Sequence, residues 1–290
     1  MRPVDDDLPV RKCRASLAPM FERRLTLDAI RFLNAHCFVL TFRSPEIASA
    51  TRPGQFLMVA ASDGVEPLLR RPMAVYEILA SAGEPVGFSV LVECTGKGTT
   101  LMSGMHAGDQ VDVLGPLGSA FAPPDGVASE AVLVMGGVGA APFPLFAKAL
   151  VEAGHPTRAF IGGRTRERLL CGEDFEALGV PVTIATDDGS AGHHGLVTEP
   201  LTEYLNSCDH RATVYSCGPT PMMRAVDSIV AARGLPHQVS LEAPMACGIG
   251  VCLSCVVPTV DEAGGWRYQR ICREGPVFDA SKVLWEHPDD

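Results

Sequence analysis

The texture of the chain changes at Pro123-Pro124, and the two halves cannot build the same kind of sheet. From about Leu25 to Phe121 the apolar segments are short, alternate with polar residues and are punctuated by Gly and Pro, the pattern of half-buried strands joined by turns. Phe38, Leu40 and Phe42 alternate with Val39 and Thr41, a Pro53-Gly54-Gln55 turn precedes FLMVA, and PVGFSVLVE and QVDVLGP supply two later strands. This half predicts an antiparallel β-barrel, with Gly98 to Met105 as a short helical insertion. After the prolines, apolar runs alternate with helical patterns: AVLVM then Phe143 to Glu152, TRAFI then about Glu173 to Leu178, PVTIAT then Leu196 to Leu205, TVYSC then Met222 to Arg233, and finally QVSLE. Apolar strands between crossover helices predict a doubly wound parallel α/β sheet. The fold class is therefore multidomain α+β: residues 1–24 an extension opening on a frayed acidic run at Asp5, Asp6 and Asp7, 25–125 the barrel, 126–242 the α/β domain, and 243–290 a small loop-rich domain.

In that last segment Cys247, Cys252, Cys255 and Cys272 give the spacing C-x4-C-x2-C-x16-C. This is the plant-type arrangement of a [2Fe-2S] cluster. Zinc ribbons usually carry two short C-x2-C pairs, whereas here only Cys252 and Cys255 form one. Gly248 and Gly250 share the loop, where missing side chains let backbone N–H groups approach cluster sulfurs. No apolar stretch after a basic start resembles a signal peptide, which argues against a disulfide framework and for a reducing cytoplasm. The other cysteines, Cys13, Cys37, Cys94, Cys171, Cys208 and Cys217, are scattered singly. With a net charge of -10 and 20% charged residues, nothing resembles a basic nucleic-acid surface. The uncharged stretch from Ala131 to Ala147 is short for a bilayer and broken by glycines and prolines, so no membrane span is expected. The expected business of the chain is electron transfer.

Further motifs suggest what stands beside such a cluster. MGGVGAAPFPL follows the first α/β strand and opens a helix, where backbone N–H groups and the helix dipole can receive a pyrophosphate. Gly137 and Gly139 fit a dinucleotide fingerprint, while Pro142 replaces its third glycine; a tight structural turn is the alternative. YSCGPTPMM places Cys217, Gly218 and Pro219 at the end of the fourth α/β strand, where open sheets bind ligands. The Cys217 thiol is either a small neighbour for a nicotinamide ring or a buried structural cysteine. Arg164 and Arg166 in GGRTRER, near TDDGSAGHHG, could meet a phosphate or be solvated charges. In the barrel, LLRRPMAV offers the Arg71 fork, and TGKGTTL offers Gly96, Gly98, Thr99 and Thr100 at a helix start, both suited to an anion. His193 and His194 lack neighbouring ligands at metal spacing, and no Ser-His-Asp arrangement can be placed.

The order barrel, RPMAV, GKGT, GGVGAAP, YSCGPTPMM, MACGIGVCLSC resembles the ferredoxin-NADP reductase superfamily and, within it, the electron-transfer subunits of dihydroorotate dehydrogenase B. The likeness runs from about Leu25 to Trp285 and is carried most specifically by DVLGPLG, TDDGSAGHHG, SCGPTPM, MACGIGVCLSC and RICREGPVFDASKVLW. It implies FAD at Arg71, Pro72, Met73 and Ala74, with Gly98, Thr99 and Thr100 on its pyrophosphate. It implies NAD at Gly137, Gly139 and the loop of Cys217, Gly218 and Pro219, with Cys217 as the catalytic candidate, and the [2Fe-2S] cluster on Cys247, Cys252, Cys255 and Cys272. The family usually has Ser or Thr where Ala74 stands and often an aromatic at Met73, so the flavin here loses a customary hydroxyl. The resemblance also implies an FMN-containing dihydroorotate dehydrogenase catalytic subunit as partner, in a cytoplasmic heterotetramer that passes electrons through [2Fe-2S] and FAD to NAD+ in pyrimidine biosynthesis. NAD rather than NADP rests on the resemblance, since Arg164 or Arg166 could bind a 2'-phosphate. Two alternatives stay open: a reductase of the same build serving a hydrogenase, a sulfide-linked complex or a ferredoxin, and an electron carrier in which only the cluster functions.

Overall fold

The computed structural model describes residues 19–207, 211–261 and 263–286, so most of the expected extension, together with Cys13 and Cys208, lies outside the described residues. The first domain is a closed barrel of β1 (Phe21–Phe32), β2 (Cys37–Arg43), β3 (Phe56–Val59), β4 (Arg71–Ser81), β5 (Glu84–Glu93) and β6 (Gln110–Leu117), in the order β1-β2-β5-β4-β3-β6 with every pairing antiparallel. It begins at Phe21 rather than Leu25. Two short helices interrupt it, α1 (Pro45–Ala50) and α2 (Lys97–Ser103). Only α2 is legible as a helix from the spacing, yet α1 carries its own start signal: Ser44 accepts the Ile47 N–H at 3.4 Å, and Pro45 occupies the first turn, where its missing N–H costs nothing.

Period-two alternation decides what each barrel strand buries. Phe38, Leu40 and Phe42 of β2 fill the barrel with Leu27, Val75, Phe88 and Val113. Cys37 and Val39 point the other way and are buried too, in one cluster with Phe121 of the segment after β6 and with Phe143, Phe146 and Tyr215 of the following domain. Phe121 stacks on Phe146 with ring centroids 4.8 Å apart and meets Tyr215 edge-on at 5.8 Å. Polar ties reinforce this interface: Tyr76 donates to Asp174 at 2.7 Å, Arg168 pairs with Glu93 at 2.6 Å, and Asn34 donates to the Glu167 carbonyl at 3.0 Å. Burial, beyond anything the Tyr76 hydrogen bond offsets, raises the Asp174 carboxyl above its ordinary range.

The second domain holds β7 (Glu130–Gly136), α3 (Phe143–Glu152), β8 (Thr157–Gly163), α4 (Gly172–Ala177), β9 (Val182–Thr186), β10 (His193–His194), α5 (Thr198–Ser207), β11 (Ala212–Cys217), α6 (Thr220–Ala231) and β12 (His237–Ser240). The strands run parallel in the order β10-β9-β8-β7-β11-β12, which agrees with the expected doubly wound sheet. His193 and His194 are thus a short edge strand, and His193 sits 2.6 Å from Glu199.

The C-terminal segment supplies a hairpin of β13 (Val256–Val260) and β14 (Trp266–Arg270), then β15 (Val277–Asp279). β15 joins the nucleotide-domain sheet antiparallel to β12, so the last segment is stitched into its predecessor. A second tie corrects a sequence expectation, because a Ser-His-Asp chain does exist. Ser216 lies 2.8 Å from His237 Nε2, His237 Nδ1 lies 3.0 Å from Asp227, and Trp285 Nε1 donates to the other Asp227 oxygen at 2.8 Å. The hydrogen bond from His237, together with that from Trp285, holds the Asp227 carboxyl below its usual range. Ser216 is fully buried, so the chain braces β11, α6, β12 and the C-terminal segment instead of presenting a nucleophile.

Candidate functional site

The three parts meet around one cavity of about 460 Å³, within the range of small-molecule sites. β4 contributes Pro72, Met73 and Ala74; the turn into α2 contributes Thr95 and Thr99; the glycine-rich loop contributes Val138, Ala141 and Pro142; β11 ends in it with Cys217; and residues 240–245 close one side. Each arrives for a local reason. Parallel strands deliver their C-terminal ends to one edge, which carries Cys217 and the loop after β7 there together. After Gly136 that loop forms a 3₁₀ turn, Gly137–Ala140, before α3 starts with Pro142 at its cap. Gly139 is required by proximity, since a Cβ there would lie 2.5 Å from the Cys217 carbonyl oxygen and 2.6 Å from the Gly218 Cα.

Arg71 and Gly98, both expected at the same anion, do meet: the guanidinium lies so close over Gly98 that a Cβ would stand 2.5 Å from Nε. Arg71 also donates to the Leu69 carbonyl. Thr99 and Thr100, expected at the pyrophosphate, each have one polar group engaged within their own loop. The Thr99 hydroxyl is occupied by the N–H groups of Thr95 and Gly96, at 3.0 and 3.2 Å, and closes the loop onto itself. Thr100 spends its N–H on the Gly96 carbonyl at 2.9 Å. The donors left to this turn are the N–H groups of Gly98 and Thr99, which the first turn of a helix does not use, beside the Arg71 fork.

Cys217 is buried, and desolvation followed by the Glu242 charge pushes its thiol well above the ordinary value. It stays a neutral, polarizable neighbour of the cavity at any physiological pH. Sequence reasoning misses Glu242, as it misses Ser240 and Glu93, which also line the cavity. Glu242 reaches solvent through the cavity mouth while protein atoms crowd it, and desolvation with the Glu93 charge raises its carboxyl. The available signal is a carboxylate directly after the strand QVSLE, at the ligand-binding edge. The arginines resolve differently: Arg166 is committed to Ser190, through its backbone N–H at 2.8 Å and its side chain at 3.2 Å, while Arg164 is exposed.

Directly after the cavity wall comes the cysteine loop. A Cβ on Gly248 would sit 2.5 Å from the Met58 side chain, and the backbone there has φ +71°, so the loop presses onto β3 through a position only glycine suits. Backbone N–H groups already reach two of the four sulfurs: Val251 donates to Cys247 and Cys272 to Cys255, both at 3.4 Å. A [2Fe-2S] cluster takes four thiolates, two on each iron. Burial alone would raise Cys247, but N–H groups of Cys252, Ile249 and Val251 outweigh it and bring the thiol down to about 6, favouring the thiolate a metal needs. Burial, then the Cys255 thiol, pushes Cys272 up to about 12 when no metal compensates it.

Comparisons with known proteins agree with this arrangement. Residues 242–284 match the iron-sulfur cluster binding domain of dihydroorotate dehydrogenase B, and residues 133–228 match the oxidoreductase NAD-binding domain. The chain is 35% identical over 260 residues to the dihydroorotate dehydrogenase B (NAD(+)) electron transfer subunit of Desulforamulus reducens, covering 89% of this chain and 96% of that one. It is 37% identical over 266 residues to the corresponding subunit of Geobacillus thermodenitrificans, covering 90% and 98%. The chain belongs to the dihydroorotate dehydrogenase B electron-transfer subunit family. Among solved structures, that of an NADH-dependent reduced ferredoxin-NADP oxidoreductase superposes with a TM-score of 0.77 at 29% identity, covering 91% of this chain and 90% of that one. Phthalate dioxygenase reductase shares the fold, at a TM-score of 0.58 and 18% identity over 87% of this chain and 77% of that one. As an electron-transfer member of that family, the chain is an NAD-linked oxidoreductase subunit built for FAD, NAD and an iron-sulfur cluster. No helix among the described residues is long and apolar enough to cross a membrane.

Proposed function

We propose that this chain docks, in a heterotetramer, on an FMN-containing catalytic subunit that oxidises dihydroorotate, and delivers the resulting electrons to NAD+ in the cytoplasm. The observation that carries the reading is continuity: residues 240–245 line the cavity, and Cys247 follows at once, packed through its loop on barrel strand β3. When bound, the iron-sulfur cluster supplies single-electron exchange, and FAD supplies the conversion between single electrons and a hydride. The protein's part is placement. Pro72, Met73 and Ala74 form the wall for the isoalloxazine, and Arg71 with the Gly98 and Thr99 N–H groups holds the pyrophosphate. Gly137, Gly139, Gly218 and Pro219 bring the nucleotide loop and the β11 loop together and would hold the NAD, whose nicotinamide Cys217 would border. Cys247, Cys252, Cys255 and Cys272 are the ligands of the [2Fe-2S] cluster.

The docking face is read from exposed apolar side chains around the cysteines. Val251 and Leu253 in the loop, and Val65 and Leu68 in the segment before β4, are 76%, 62%, 85% and 78% exposed. A hollow between Leu68, Leu69, Ala246 and Cys247 connects the two groups. Apolar surface clustered on one face of a chain is the usual mark of a protein interface. The likeness to a ferredoxin-NADP oxidoreductase supports a second reading, in which the same build serves a different partner. Anaerobic isolation of the native complex, assayed for dihydroorotate-dependent NAD+ reduction, decides between them. Activity with an FMN-containing companion is expected; NAD+ reduction driven by another donor and none by dihydroorotate transfers the assignment to the second reading.

A further inference from the structure

The turn that carries Cys272 is held by a pair of charges whose geometry reaches the opposite cysteine loop. Arg270, the last residue of β14, gives its backbone N–H and Nε to one Glu274 oxygen at 2.7 and 3.0 Å, and Nη2 to the other oxygen. The remaining guanidinium nitrogen, Nη1, crosses to the cysteine loop and donates to the Gly250 carbonyl at 2.8 Å. That carbonyl belongs to the same peptide unit as the Val251 N–H, which donates to the Cys247 sulfur at 3.4 Å. A cation on the carbonyl of a peptide fixes the plane of that peptide and polarises its N–H, which strengthens the bond at the other end.

We propose that Arg270 is a positioning residue of the cluster site, acting through the Gly250–Val251 peptide to strengthen the hydrogen bond on Cys247 and raise the cluster's reduction potential, with Glu274 as the opposing charge that moderates it. Hydrogen bonds to cluster sulfurs and net charge nearby are the terms by which a protein sets such a potential. Glu274 makes the device adjustable: it aims the guanidinium with a two-pronged contact while its carboxylate offsets the positive charge. The inference rests on the four cysteines being the ligands.

The test is an EPR-monitored redox titration of the holo-subunit in three variants, with iron and labile sulfide measured on each. Arg270→Gln lowers the ratio of reduced to oxidised cluster at the wild-type midpoint by about fivefold, as one partly screened charge does. Glu274→Gln raises it by a similar factor. Arg270→Lys, which keeps the charge and loses the fork, falls between wild type and Arg270→Gln. Opposite shifts for the two glutamine variants are the signature, because a merely structural brace gives cluster loss or no shift in both. If Arg270→Gln does not retain its cluster, the upward shift in Glu274→Gln together with the downward one in Arg270→Lys supports the proposal equally. Shifts of equal sign, or none, overturn the proposal; a wild-type protein lacking the [2Fe-2S] signal altogether overturns the ligand assignment beneath it.

Discussion

Gly139→Ala isolates one contact on which the proposed nicotinamide site depends. The φ of Gly139 lies outside the left-handed region, so alanine is conformationally permitted and the only objection is space. The added Cβ would meet the Cys217 carbonyl carbon and oxygen at 2.6 and 2.5 Å and the Gly218 Cα at 2.6 Å. All three are backbone atoms, so no side chain can swing aside. The loop after β7 or the end of β11 must retreat by about 0.8–0.9 Å to restore ordinary contact, at an overpacking cost of about 1–3 kcal/mol. In a chain of this length that lowers Tm by about 2 °C or less per kcal/mol. Near-attack geometry can lose about 100-fold per ångström, so a shift of this size, if it reaches the nicotinamide undiminished, predicts a fall of roughly 50-fold in kcat for NADH. The assay is NADH oxidation with ferricyanide as acceptor, with flavin and iron-sulfur absorbance recorded to show that both groups remain bound. A variant with full absorbance and wild-type kcat would refute the reasoning, because the Gly139–Cys217 approach would then not set the spacing between nucleotide and flavin.

Cys217→Ala should slow the same reaction severalfold while leaving cluster absorbance unchanged, and its native thiol should resist iodoacetamide at pH 8 because burial keeps it protonated; unchanged kinetics return it to the status of a buried packing residue. In iron-free protein, iodoacetamide should modify Cys247 ahead of Cys272. The thiolate at Cys247 forms as pH rises through about 6, so its labelling rate should climb there and be flat by pH 8, whereas Cys272, at about 12, should still be protonated. Labelling of Cys247 that keeps climbing toward pH 9 contradicts the backbone hydrogen bonds assigned to it.

Local patterns make the nucleotide domain easy to read. Phe143 to Glu152 reads as a helix and is α3, because apolar spacing on one face and a proline at the cap both act within a few residues. The barrel is legible as alternating strands for the same reason, and the cysteine spacing encodes the loop that holds them. What stays hidden depends on distance in sequence. Ser216, Asp227, His237 and Trp285 carry no local signal of their alliance, since only the sheet order and the fold of the C-terminal segment bring them together. Glu242 looks like an ordinary charge until the barrel and the α/β domain form the cavity that it lines. The Thr99 hydroxyl, legible as a phosphate donor, is claimed by its own loop, the usual competition between a short polar side chain and its neighbouring backbone.

β15 gives the order of synthesis a structural meaning. The strand that seals the β12 side of the nucleotide sheet is made after all four of the loop cysteines. Until residues 277–279 emerge, β12 presents an open row of backbone groups, the kind of edge that recruits other strands. The chain thus cannot finish its nucleotide domain without having first produced its cysteines, and a truncated product that stops before the metal-binding loop is left with a sticky sheet instead of a stable apo-reductase. Completion of that sheet thus requires that the cysteine loop has already been made.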